Sequence, residues 1–288
     1  MVNLTPSSGF LNDGRRSQSV GDELEIALPS MVNARVRNAQ APWGSLSAEL
    51  YYEHNYRNLI AEDQEIIRQV SPFFVQAFAH RDRAELAIDV GSGSNLYPAL
   101  LMLPWANHIQ LIDYSPRNVS WLRRELLDQE RPWAWRPFWL ELEEWEGYSQ
   151  ISEPRKQLRD TCFSDPEHDG VRQFSVFDLP AATWQLGTMF FVAEGITEDF
   201  AEFRQAIARF VGALQSGSPF AATFMAGSRG YEVDGIWFPA LPITCEDVRE
   251  CLEKLGASEL SVQMTETPPH VREGYQGMIL ATGISGGR

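Results

Sequence analysis

Glu85-Leu-Ala-Ile-Asp-Val-Gly-Ser-Gly-Ser-Asn-Leu-Tyr97 is the stretch whose reading decides the fold. Its apolar start predicts a buried parallel strand, which the glycines at 91 and 93 end in a turn. NLYPALLML then predicts a helix, HIQLIDYS a second strand, and PRNVSWLRRELLDQ a helix opening on Pro116. Strand, helix, strand, helix on short links predicts a doubly wound α/β sheet.

Towards the C-terminus, VRQFSVFDL, WQLGTMFFVAEGIT and PFAATFMAGS predict further strands. DFAEFRQAIARFVGAL predicts an amphipathic helix with Phe203, Ile207, Phe210 and Leu214 on one face. ITCEDVRECLEKLGA predicts a helix capped by Thr244 and closed by Gly256. SELSVQMTET and GYQGMILATGIS predict two closing strands. Residues 131–170 read as irregular, apart from a short helix in EPRKQLRDTC and a polar loop at SDPEHDG.

Towards the N-terminus, Leu59, Ile66, Val70, Phe73, Phe74 and Phe78 recur at helical spacing. They predict two or three helices over 46–79, with a break near Pro72. Residues 1–30 are rich in Ser, Gly and Asn and read as a flexible tail. The expected organisation is one domain over 31–288, with a helical cap at 31–80 and the doubly wound core at 81–288.

Bulk properties narrow the function. Of 288 residues 44% are hydrophobic and 22% charged, as in a soluble globular protein. The net charge of −15 repels phosphate backbones, so nucleic acid is not an expected partner. The three cysteines, Cys162, Cys245 and Cys251, show no paired spacing, and the five histidines are scattered. This predicts neither a disulfide framework nor a metal site and fits a reducing cytoplasm. No signal peptide or membrane span is expected. Monomer and homodimer both stay open.

The loop carries the chemistry. Glycines at 91 and 93 let the backbone approach a ligand at a helix N-terminus. Dinucleotides and S-adenosylmethionine are the two ligand classes that use such a loop after a first strand. The dinucleotide fingerprint needs a third glycine where Leu96 stands, which disfavours a nicotinamide-dependent oxidoreductase. Asp89 precedes the glycines, and Asp113 closes the second strand, where a carboxylate can accept from ribose hydroxyls.

These features resemble the nicotinamide / phenylethanolamine / thioether S-methyltransferase group, more narrowly its bacterial members, from about residue 44 to the end. The resemblance implies a seven-stranded, mostly parallel Rossmann-like sheet with helices on both faces, the last strand antiparallel. It implies S-adenosylmethionine as cofactor and a small-molecule substrate. Asp89-Val-Gly-Ser-Gly-Ser-Asn-Leu-Tyr97 resembles the cofactor loop and assigns Gly91, Ser92, Gly93, Asn95 and Tyr97 to the cofactor. Asp113-Tyr-Ser-Pro-Arg-Asn118 resembles the next motif; Asp113 would hold the ribose, with Tyr114 and Asn118 beside the adenosine. Asp178-Leu179 would bracket adenine, and Tyr51 and Tyr56 would lie in the cap over the cofactor. WAWRPFWLELEEWEG resembles a family insertion.

Two departures concern the acceptor. Met225-Ala226-Gly227 stands where amine N-methyltransferases of the group carry an acid, and Pro239 replaces a second polar contact. Glu194 matches an acidic position after the fourth strand and is the candidate general base. Tyr51, Tyr56 and Tyr97 are candidates to line a sulfonium pocket. Tyr231, Asp234, Trp237 and Phe238 would form the opposite wall, with His54 reaching in from the cap. Aromatic walls suit a flat acceptor, such as an indole-bearing secondary metabolite methylated on nitrogen or on an electron-rich ring carbon. A ligand-sensing relative without transfer activity is the remaining alternative.

Overall fold

A computed structural model describes residues 35–128, 130–164, 169–266 and 275–286. The tail read at 1–30 and most of the polar loop at 164–170 lie outside them. The elements run, in chain order, α1 (Ala48–Asn55), α2 (Ala61–Phe78), β1 (Ala84–Val90), α3 (Tyr97–Met102), β2 (Ala106–Asp113) and α4 (Pro116–Leu127). There follow α5 (Arg136–Leu142), α6 (Pro154–Phe163), β3 (Val171–Gln173), β4 (Leu186–Phe190), α7 (Phe200–Ala213) and β5 (Pro219–Ala226). The last are β6 (Gly230–Val233), β7 (Ile236–Pro239), α8 (Cys245–Lys254), β8 (Ser258–Met264) and β9 (Gly277–Ile284).

Seven strands form one sheet in the order β3-β2-β1-β4-β5-β9-β8. Pairing is parallel from β3 through β5; β9 runs antiparallel to both of its neighbours. β1, β4, β5 and β9 are almost wholly buried, because helices cover both faces. On one face α2 to α6 pack through a core that includes Ile66, Phe74, Leu100, Trp121, Phe138 and Leu158. On the other, α7 and α8 bury Phe203, Ile207, Phe210, Val248 and Leu252. The chain leaves β1 for β2 on one side and later for β4 on the other, so a crevice opens at the carboxyl ends between them.

Several elements differ from the sequence reading. α2 runs unbroken through Pro72. Tertiary burial of Ile66, Ile67, Val70, Phe74 and Phe78 outweighs the lost backbone bond, and this helix is a layer of the core rather than a cap. The Trp-rich segment is not irregular. Trp135, Phe138, Trp139 and Leu142 fall on one face of α5 and its N-cap and are all buried. β3 and β4 are shorter than predicted. β3 stops at Gln173, and Asp178 ends a short 3-10 turn, Val176–Asp178. β6 and β7 form a separate hairpin where only a wall segment was expected. Asp234 and Gly235, with φ of 54° and 73°, make its two-residue turn, a shape that Asp-Gly supplies readily. α8 is capped as expected: Thr244 and Asp247 exchange hydrogen bonds, and Gly256 takes φ 75°.

Candidate active site

The first cavity lies at the carboxyl ends of β1, β2 and β4 and encloses about 890 Å³, part of it open to solvent. Its floor is the glycine loop. Gly91 has φ 67°, and a side chain there would meet Val192 Cγ2 at 2.5 Å. Gly93 has φ 60°, and its amide donates to Asp113 Oδ2 at 2.8 Å. Asp113 Oδ1 accepts from the Ser115 amide at 2.7 Å and from Asn118 Nδ2 at 3.0 Å. Burial raises the Asp113 carboxyl above the ordinary range, and these three donors pull against that shift. The cluster ties the ends of β1 and β2 together.

Asp89, at the end of β1, is buried and accepts from Thr188 Oγ1 of β4 at 2.7 Å. Burial raises its carboxyl to about 7. Asp89 Oδ2 and Asn118 Oδ1 line this cavity region with no hydrogen-bond donor among the described residues. Two buried acceptors without donors favour a ligand that brings its own, as the ammonium and hydroxyls of S-adenosylmethionine do. The residues present therefore fit that cofactor.

Aromatic side chains close the upper side. Tyr51 of α1 and Tyr56, the residue capping it, line the cavity with ring centroids 6.1 Å apart. Trp43 and Asn38 reach it from the segment before α1, where Trp43 Nε1 donates to Asn38 Oδ1 at 3.0 Å. Phe174, Ser175 and Val176, after β3, form the side wall. Of the residues expected at the cofactor, Tyr51, Tyr56, Gly91, Ser92, Gly93, Asn95, Asp113, Tyr114 and Asn118 line this cavity. Tyr97, Asp178 and Leu179 do not. Tyr97 is fully buried behind it, stacked on Phe138, with its hydroxyl donating to Asp63 Oδ1 at 3.1 Å. β3 stops at Gln173, Phe174 to Val176 line the cavity after it, and Leu179 is packed into the core on the α7 side.

A second cavity adjoins the first. His54, Glu194, Met225, Asp234 and Trp237 line it, and Tyr51, Phe191, Gly195 and Tyr231 are shared with the first. Glu194 is buried; its Oε1 accepts from the Met225 amide at 2.8 Å, and its carbonyl accepts from the Leu241 amide at 2.8 Å. It thus joins the loop after β4 to the ends of β5 and β7. Phe238 departs from the wall role expected of it. It is fully buried, stacked between Trp43 and Tyr231 at 5.4 Å from each, and fastens the hairpin to the segment before α1. A third chamber shares Tyr51, Tyr56 and Phe191 with the first and reaches Ile60, Glu62, Asp63 and Met278.

Phe191 lines all three spaces and was not singled out in the sequence. Its φ of 60° is unusual for a bulky residue, and its amide is held by the Thr223 carbonyl at 2.8 Å. No local sequence signal marks such a backbone. Asp63, Trp43 and Phe174 also escaped, since only packing brings them to the crevice. Among the described residues no group of His, Cys, Asp or Glu is placed to hold a metal ion, and no helix is long and apolar enough to cross a membrane.

The sheet order and the crevice over β1, β2 and β4 define a Rossmann-like methyltransferase fold. The profile of the NNMT/PNMT/TEMT family matches residues 45–280, and the chain belongs to that family. A solved structure agrees on the fold. Magnesium protoporphyrin IX methyltransferase (ChlM) from Synechocystis PCC 6803, solved with bound SAM, superposes with a TM-score of 0.50 at 13% identity, over 83% of this chain and 92% of that one. The N-methyltransferase NodS from Bradyrhizobium japonicum WM9, in complex with S-adenosyl-L-homocysteine, gives 0.49 at 13% identity, over 82% and 94%.

Proposed function

We propose that this chain is a cytoplasmic S-adenosylmethionine-dependent methyltransferase of the bacterial branch of its family. Its acceptor is a small aromatic or amine-bearing molecule of the indole type, methylated on nitrogen or on an electron-rich ring carbon. The observation that carries the reading is a cavity with the Gly93–Asp113–Asn118 cluster at one end and aromatic chambers opening from the other through Tyr51 and Phe191.

When bound, S-adenosylmethionine supplies a methyl group already activated by its sulfonium. The residues that would hold it are Asp113, Gly93, Asn118 and Asp89 on the polar side, with Tyr51 and Tyr56 opposite. Their rings attract positive charge, by about 0.5–2 kcal/mol each. The chain's further work is alignment and exclusion of water. Phe191, Met225 and Tyr231 provide an apolar passage in which an acceptor can be lined up. Glu194, fastened by the Met225 amide, can hold an acceptor N–H at the second cavity, or receive its proton. The Trp237 ring, 55% exposed, forms the outer wall.

Isothermal titration with S-adenosylhomocysteine tests the cofactor assignment. Micromolar binding is expected, weakened at least tenfold by Asp113→Ala; absence of any heat refutes it. Mass spectrometry after incubation with labelled cofactor and an indole and amine panel tests transfer. No labelled product across a broad panel, with binding intact, would favour a ligand-sensing relative.

A further inference from the structure

The third chamber holds a feature the reaction scheme leaves unused. Asp63, in the first turn of α2, is only 1% exposed, yet its carboxylate borders a chamber walled by Tyr51, Tyr56, Ile60, Phe191 and Met278. One carboxylate oxygen accepts from Tyr97 Oη at 3.1 Å, and no described residue donates to the other. Glu62 is buried beside it, and no Lys or Arg is among the residues lining the chamber. Burial raises the Asp63 carboxyl to about 7, with the Glu62 charge adding to the shift; His54 also lines the chamber. Met225, at the end of β5, also lines the chamber and offers no charge of its own.

We propose that Asp63 is the specificity-determining residue that grips a protonated amine of the acceptor, from α2 rather than from the end of β5. This rests on the methyltransferase reading and deepens it. An ammonium group entering between Tyr51, Tyr56 and Phe191 meets three aromatic rings and reaches the Asp63 carboxylate. The apolar body of the acceptor lies against Ile60, Met225 and Met278. The Tyr97 hydroxyl keeps the carboxylate aimed into the chamber. Tyr51 and Phe191 also line the first cavity, so an acceptor held here extends toward the bound cofactor.

Tryptamine and its neutral counterpart tryptophol, titrated into protein saturated with S-adenosylhomocysteine, test this. Wild type is expected to bind tryptamine at least tenfold more tightly than tryptophol. Asp63→Asn, which keeps shape and the acceptor for Tyr97, should remove that preference while holding S-adenosylhomocysteine affinity within about twofold. That retained affinity also shows the variant is folded. Tryptamine binding that is undetectable in wild type, equal to that of tryptophol, or unchanged in Asp63→Asn overturns the proposal. Loss of S-adenosylhomocysteine binding by wild type itself would instead sink the cofactor reading.

Discussion

Asp89 has two duties with opposite energetics. Its carboxyl, at about 7 in the folded protein against an ordinary 3.8, is costly to ionise in its buried site. Between those values the native state keeps a proton that the unfolded chain has released. The stability of the ligand-free protein therefore falls, on this group's account, as pH rises from 4 to 7. Asp89→Asn keeps an acceptor for Thr188 and removes the cost. Denaturant unfolding should find it more stable by up to about 4 kcal/mol at pH 8 and equal to wild type near pH 4. The same substitution should weaken S-adenosylhomocysteine, because the acceptor left without a donor is then blunted. A stability difference between variant and wild type no larger at pH 8 than at pH 4 would remove Asp89 from that role. Asp89 and Asp113 were legible in the sequence because they sit at fixed offsets from the glycines. Asp63 was not, since its burial depends on what α2 packs against.

At the scale of elements, the β6–β7 hairpin has a conformational requirement of its own. Gly230 has φ 142°, and a side chain there would meet Trp237 Cζ2 at 2.0 Å. Gly230→Ala must push Trp237 off its neighbour and strain the first residue of β6, at a cost of about 1–3 kcal/mol. Limited trypsin digestion should cut the variant after Arg229 several-fold faster than wild type. Equal rates would mean that Trp237 repacks freely. The Asp-Gly turn that closes this hairpin is a strong local signal, yet its strands are four residues each and lie in an aromatic-rich stretch that reads equally as a wall. α2 shows the converse. Pro72 is a local stop signal, overridden by five buried apolar side chains spread across its helix.

For the whole molecule, cofactor and fold are linked. The cluster at Asp113 joins β1 to β2, and Asp89 with Thr188 joins β1 to β4, so a ligand seated on them binds the folded chain alone. At one hundred times its Kd, S-adenosylhomocysteine should stabilise the protein by about 2.7 kcal/mol. In a chain of this size that raises Tm by roughly 4–8 °C. A melting scan that does not shift at saturating ligand would separate binding from the folded core.

The sequence by itself determined the sheet class, the glycine loop, the strand-end acid at 113 and the α8 cap, because each is written in a few neighbouring residues with a fixed period or offset. Tertiary structure alone decided which side chains line the cavities. The left-handed backbone of Phe191, the burial of Asp63, Tyr97 and Phe238, and the place of Phe174 to Val176 on the cavity wall all follow from packing between distant elements. Those contacts join residues far apart in the chain, and no local pattern encodes them.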